Sequence, residues 1–198
     1  MLTKTMQQIQ SAIRFVIMIS IIAGILYPVL ITAIAQIFFP NQANGNLIEH
    51  QGKIVGSSLI GQHFTANKYF WSRPSATQPI PYNAAISGGS NLGPDSKILL
   101  DQIQQRINSL NKANHLGSMI IPIDLVTASA SGLDPHISIS AALYQVPRVA
   151  ASRNMTIASI EQVINDLSSK HDWQIFGIKR VNVLELNLAL DQLGSKRK

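Results

Sequence analysis

Residues 15–39, FVIMISIIAGILYPVLITAIAQIFF, are 25 residues without one charged side chain. As a helix rising about 1.5 Å per residue, such a run reaches roughly 37 Å, enough to cross a hydrocarbon core of about 30 Å with some tilt. A helix buried in a globular core is rarely so long and so free of charge, so the stretch predicts a transmembrane helix at 15–39. Arg14 closes it on one side and Pro40-Asn41 on the other, with Phe38 and Phe39 at a border where interfacial aromatics are common. A cleaved secretory signal is the competing reading, because Lys4 and Arg14 form a basic leader and Ala33-Ile34-Ala35 is an A-x-A site ahead of Gln36. Its apolar core would run from Phe15 to about Ile31, longer than the usual range of about 7–15 residues.

The flanking charges orient the helix. Lys4, Arg14 and the α-amino group precede it, whereas the fifteen residues after it carry one Lys and one Glu, Lys53 and Glu49. By the positive-inside rule, residues 1–14 form a short cytoplasmic N-terminus, and residues 40–198 form an extracytoplasmic domain. Within the helix, Ser20, Gly24, Pro28, Thr32 and Gln36 recur every four residues as a ridge of small or polar groups. Such ridges let membrane helices pack closely, and this one winds about 160° round the axis, enough to meet two partners. Pro28 removes the N–H that would bond the Gly24 carbonyl, so a kink is expected there.

The formal charge of +6 invites a nucleic-acid reading, which its distribution excludes. Lys4 and Arg14 flank the helix and Lys196, Arg197 and Lys198 end the chain, leaving residues 40–195 with eleven Lys and Arg against ten Asp and Glu. No basic stripe interleaved with aromatics remains. The chain has no cysteine, which rules out disulfides, thiolate zinc sites and cysteine nucleophiles.

Residues 40–198 are enough for one domain, expected to be a mixed α/β fold with three or four helices on a small sheet. PNQANGNL at 40–47 reads as a loop and KIVGSSLIG at 53–61 as a strand. Residues 72–94, SRPSATQPIPYNAAISGGSNLGP, hold four prolines and three glycines. A loop of that length in a compact domain is usually functional, so Arg73, Pro74, Ser75, Tyr82 and Asn83 are candidate partner contacts. An amphipathic helix is expected from Pro94 to near Asn111, an edge strand at 119–126, and a helix from about Ile137 interrupted by Pro147. A helix capped by Thr156 should follow, then strands at 173–176 and at 181–190, where VNVLELNLAL alternates with period two.

Chemistry-bearing motifs are few. The phosphate-binding P-loop, the G-x-S-x-G elbow, H-E-x-x-H and a T-V-G-Y-G filter are absent. Ser131, Asp134 and His136 have the residue types of a hydrolase triad, but a single short turn seldom converges three side chains. A turn in which Asp134 bonds nearby backbone N–H groups is the simpler reading. His50, His63, His115, His136 and His171 show no metal-ligand spacing. ISGGS at 86–90 resembles, over five small residues, the signature by which ABC-type ATPases touch nucleotide, and successive N–H groups in such a turn can cradle an anion. Ser87, Gly88, Gly89, Ser90 and Asn91 are therefore the candidate nucleotide contacts, with a plain flexible loop tip as the alternative.

Taken in order, several longer segments carry a family resemblance. They are Tyr27-Pro28, QANGNL at 42–47, GSSLIGQHF at 56–64, YFWSRPSA at 69–76, PYN at 81–83, SGGSNLG at 87–93, DLVTASASGLDPHIS at 124–138, YQVPRVAASRN at 144–154 and VNVLELNLALD at 181–191. Together they resemble the C chain of Kdp-type potassium-transporting ATPases, nearly end to end. One departure is GPDSKILL at 93–100, which lacks the Ser-Asn-Pro often found there.

The resemblance implies an uncleaved anchor in a bacterial inner membrane, surrounded by lipid. It also implies a complex with a channel-like potassium-translocating subunit, a P-type ATPase subunit and a small membrane peptide. The chain would then be a non-catalytic accessory subunit that raises the ATP affinity of the ATPase subunit, with ATP reached only through the complex. Two other readings are a membrane-anchored extracytoplasmic sensor or ligand-binding module, and a tethered hydrolase using Ser131 or His136.

Overall fold

The computed structural model describes residues 2–114, 119–168 and 177–195. The chain divides into two units, Met1–Leu47 and Ile48–Lys198. In the first, Leu2–Ile21 (α1), a π-helical turn at Ile22–Leu26 and Tyr27–Phe38 (α2) follow one another without a break. The helix thus starts well before the uncharged stretch, and it is long and apolar enough to cross a membrane. From Lys4 to Phe38 every residue is exposed except the half-buried Ala35.

The irregularity expected at Pro28 lies one turn earlier. The Tyr27 N–H bonds the Ile22 carbonyl, five residues back, so the turn is widened just ahead of the proline ring. That widening accommodates a residue with no N–H to donate and a ring that crowds the preceding turn. A Cβ built on Gly24, in the middle of the π turn, meets nothing within 4 Å. After α2, a single turn at Pro40–Ala43 (α3) stands where the sequence suggested loop. Asn44 from that turn donates to Gln36 Oε1 at 3.1 Å and to the Pro40 carbonyl at 2.7 Å, closing the C-terminal end of the ridge.

The second unit buries its apolar residues round one helix, Ile139–Arg153 (α5). Ala141, Ala142, Tyr144, Val146, Val149 and Ala150 of α5 are all buried, so the helix has little solvent face. Lys97–Asn114 (α4) and Ile157–Leu167 (α6) pack against it, and Val183–Ser195 (α7) packs on α6. The caps explain the limits of α5 and α6. Ser138 Oγ accepts the Ala141 N–H, Asn154 ends α5 in the left-handed region at φ 52°, and Thr156 Oγ1 accepts the Ser159 N–H. Pro147 does not interrupt α5: the burial of its neighbours outweighs the cost of a proline inside a helix, about 3 kcal/mol for the lost bond and the ring clash together.

Several expected elements are corrected. Among the described residues the single small sheet is replaced by two separate two-stranded ladders. Leu47–His50 (β1) pairs with Lys53–Ser57 (β2), shorter than the expected strand, through a turn in which Gln51 and Gly52 both have positive φ, as a tight hairpin turn requires. His136–Ser138 (β3) runs antiparallel to Arg180–Asn182 (β4), with Ile137 opposite Val181. The helix expected from Ile137 therefore begins at Ile139, and α4 begins at Lys97 because Pro94 and Asp95 form a turn. In place of an edge strand at 119–126 there is a 3₁₀ turn at Ile123–Leu125. The strand expected at 173–176 lies outside the described residues.

The largest correction is 181–190, which is strand only as far as Asn182. Asn182 Oδ1 accepts the N–H groups of Leu184 and Glu185 at 3.0 and 3.2 Å, capping α7. Val183, Leu186, Asn187 and Leu190 are buried, a helical i, i+3, i+4, i+7 stripe hidden within the alternating pattern.

Candidate functional site

Residues 67–94 have no regular secondary structure, yet side chains from elsewhere fasten them down. The fully buried Asn187 of α7 accepts the Phe70 N–H at 2.8 Å and donates to the Phe70 carbonyl at 3.0 Å. Gln145 of α5 does the same for Trp71, at 2.8 and 3.1 Å. Each carboxamide thus plays the part of a neighbouring strand, satisfying backbone groups that burial would otherwise leave unpaired. Arg148, one turn on from Gln145, donates to the carbonyls of Asn67 and Tyr69 at 2.7 and 2.9 Å, to Asn114 Oδ1 and to Gln145 Oε1. Its guanidinium also lies over the Trp71 ring at 4.3 Å. Burial lowers the Arg148 pKa to about 10, which leaves it charged at neutral pH.

Beyond Trp71 the chain folds back on itself. Ser75 Oγ donates to the Gly132 carbonyl at 2.7 Å and accepts the Tyr82 N–H at 2.9 Å, while Thr77 Oγ1 donates to the Ile80 carbonyl and accepts the Asn83 N–H. The Tyr82 hydroxyl donates to the Arg73 carbonyl, and burial pushes its pKa up to about 12. The Tyr82 ring rests against Gly61, where a Cβ would fall 2.6 Å from Cε1. Of the expected contact residues, Arg73, Ser75, Tyr82 and Asn83 therefore belong to one folded loop, with Pro74 among them.

That loop docks on residues 129–134. The Gly88 N–H and the Ser87 hydroxyl both donate to the Ser131 carbonyl, at 2.9 and 3.1 Å. Arg73 meets Asp134 at 3.0 Å. Gly132 sits at φ +68°, and a Cβ there would come 2.6 Å from Thr77 Cγ2 and 2.8 Å from the Gly88 carbonyl. The Gly-rich run 87–91 is thus held against a second loop, with the Gly88 N–H engaged inside the chain. Gly89 lies against Ala130, while Ser90 and Asn91 are exposed.

Asp134 organises the turn expected of it. Its Oδ1 accepts the His136 N–H at 3.0 Å, its Oδ2 takes Arg73, and the His136 Nδ1 lies 3.6 Å away. Burial works to raise the Asp134 pKa, but His136 and Arg73 together outweigh it and hold the carboxyl below its usual range. Ser131 Oγ instead accepts the Leu133 N–H, so the three residues make a turn and not a hydrogen-bonded relay. Among the described residues no group of three His, Cys, Asp or Glu could hold a metal; His115 and His171 lie outside them.

A cleft of about 500 Å³ opens between the loop and α4. Phe64, Trp71 and Tyr82 give it aromatic walls, and Arg73 and Arg106 give it charge. Sequence reasoning passed over Arg106, Arg148 and Asn187. The visible signal for Asn187 was a polar residue inside an apolar stripe, but its partner Phe70 is 117 residues away.

A family model described as K+-transporting ATPase, c chain, matches residues 9–192. The chain is 52% identical over 184 residues to a protein of Herpetosiphon aurantiacus, covering 93% of this chain and 95% of the relative. It is 53% identical over 175 residues to one of Janthinobacterium sp., covering 88% and 93%, and 48% identical over 185 residues to one of Dechloromonas aromatica, covering 93% and 97%. All three relatives carry the name potassium-transporting ATPase KdpC subunit.

Proposed function

Since the chain belongs to the KdpC family, the c chains of K+-transporting ATPases, and is thus an accessory subunit of a potassium importer, we propose the following division of labour between its two units. The helix anchors the chain in the bacterial inner membrane and docks through Ser20, Gly24, Pro28, Thr32 and Gln36 on the channel-like potassium-translocating subunit. Residues 1–14 face the cytoplasm. The domain that follows lies outside, where residues 72–94 cover the external mouth of that subunit and stabilise its assembly with the P-type ATPase subunit and a small membrane peptide. The chain itself catalyses nothing.

In this arrangement the chain raises the ATP affinity of the ATPase subunit indirectly. Nucleotide is cytoplasmic, so any effect reaches it through membrane contacts, as a shift between conformational states. The observation that carries the reading is the helix itself: an apolar rod exposed along its length, with an open space where Gly24 would bear a side chain. A single anchor of this kind gains its packing from lipid and from other helices.

The test is Gly24→Ile. Because a Cβ at position 24 would meet nothing within 4 Å, the substitution should leave membrane insertion intact and lower the recovery of complex by affinity purification. Full recovery of active complex would contradict the docking.

A further inference from the structure

We propose that the cleft between residues 71–82 and α4 receives a carboxylate-bearing segment of another subunit of the same transporter, held by the guanidinium groups of Arg106 and Arg73. The inference rests on the partner-facing reading of residues 72–94 given above.

The cleft's volume, about 500 Å³, suits one or two side chains. Its lining holds Arg73, Arg106 and His63 and no Asp or Glu. Arg73 uses one amino group on Asp134, which lies outside the lining, while its buried Nε has no acceptor among the described residues. Arg106 donates one amino group to the Val126 carbonyl at 2.7 Å and is paired with no carboxylate among the described residues. Burial lowers its pKa, as expected of a partly desolvated cation without a counter-charge.

A half-buried guanidinium held this way is a ready binding site for a carboxylate, to which it donates through two parallel N–H groups. The aromatic walls would take the apolar stem of the incoming side chain. A protein partner fits better than a free anion, because the cleft is bounded by the loop assigned to the interface. The outer face of a cation pathway also gathers acidic groups, whose sign complements these arginines.

The experiment places a photo-cross-linking residue at Gln105 or Ser109, beside Arg106, and in parallel at Ile80 or Ile86 on the exposed outer edge of the loop. It uses the full chain in the assembled complex in native membranes. The expected result is a cross-link from 105 and 109 to an acidic segment of another subunit, lost in Arg106→Glu. That substitution should also lower the chain recovered with the complex by about tenfold, and Arg106→Lys should lower it less. The cross-links in the otherwise unaltered chain need no Arg106 variant to fold. Partner adducts from 80 and 86, with only lipid adducts or none from 105 and 109, would overturn the cleft proposal alone. Adducts to another subunit from none of the four positions would overturn it together with the partner-facing reading beneath it.

Discussion

The N-terminal helix and the domain solve the burial problem in opposite ways. From Lys4 to Phe38 every residue but the half-buried Ala35 is exposed in the isolated chain, so its apolar side chains are left uncovered by their own chain. In the domain, Phe70, Ile137, Tyr144, Val149, Ile160, Leu186 and Leu190 are buried by the chain's own packing. Polar groups differ in the same sense. The helix keeps its backbone bonds within itself, whereas the domain satisfies the backbone at Phe70 and Trp71 with side chains 117 and 74 residues away. Substitutions in the first unit should therefore disturb assembly, and those at the buried positions of the second should disturb folding.

The sharpest division comes from Arg148→Met, which strands the carbonyls of Asn67 and Tyr69 and the side-chain oxygen of Asn114 without their donor. A loss of about 3–5 kcal/mol is expected in urea unfolding of the full chain in detergent micelles, with membrane insertion unchanged. Asn187→Leu removes two bonds to Phe70 and should cost about 2–4 kcal/mol in the same measurement. Gly132→Ala adds a Cβ at φ +68° against Thr77 and the Gly88 carbonyl, and should cost about 1–3 kcal/mol while loosening residues 75–88 in hydrogen exchange.

Asp134 makes a smaller, pH-dependent contribution. Its folded-state pKa lies below the unfolded value, so its stabilisation is complete above the unfolded pKa and is lost as pH falls through the folded one. Asp134→Asn should flatten the acid limb of the stability curve and leave the alkaline limb alone. At the far end of the scale, Gly24→Ile should move the unfolding curve of the domain by less than about 0.5 kcal/mol, although it lowers complex recovery. A large shift there would break the division between the units.

The sequence revealed the two units unequally. A long uncharged run has one dominant physical meaning, so the helix was legible, and only its upstream extension to Leu2 and the form of its irregularity near Pro28 were not. Within the domain, Thr156 marked its helix because a cap acts locally. VNVLELNLAL misled because period two in a Leu-rich segment also contains a helical stripe, and the Asn182 cap that decides between them is a single residue. The long loop at 72–94 was visible through its prolines and glycines. Its fixed shape was not, since that depends on Ser75 reaching Gly132 and on Arg73 reaching Asp134, contacts that span 57 and 61 residues.

We propose that residues 40–198 lie outside the cytoplasm and that the chain acts on ATP affinity only through membrane contacts. With no native cysteine, the chain is suited to single-cysteine labelling. Ser90→Cys and Thr5→Cys, both at exposed positions, would be treated in intact cells with a membrane-impermeant thiol reagent. The account predicts labelling at position 90 and none at position 5 until the cells are permeabilised. Labelling at position 5 and not at 90 would contradict it, placing the Gly-rich run 87–91 on the side where nucleotide is found.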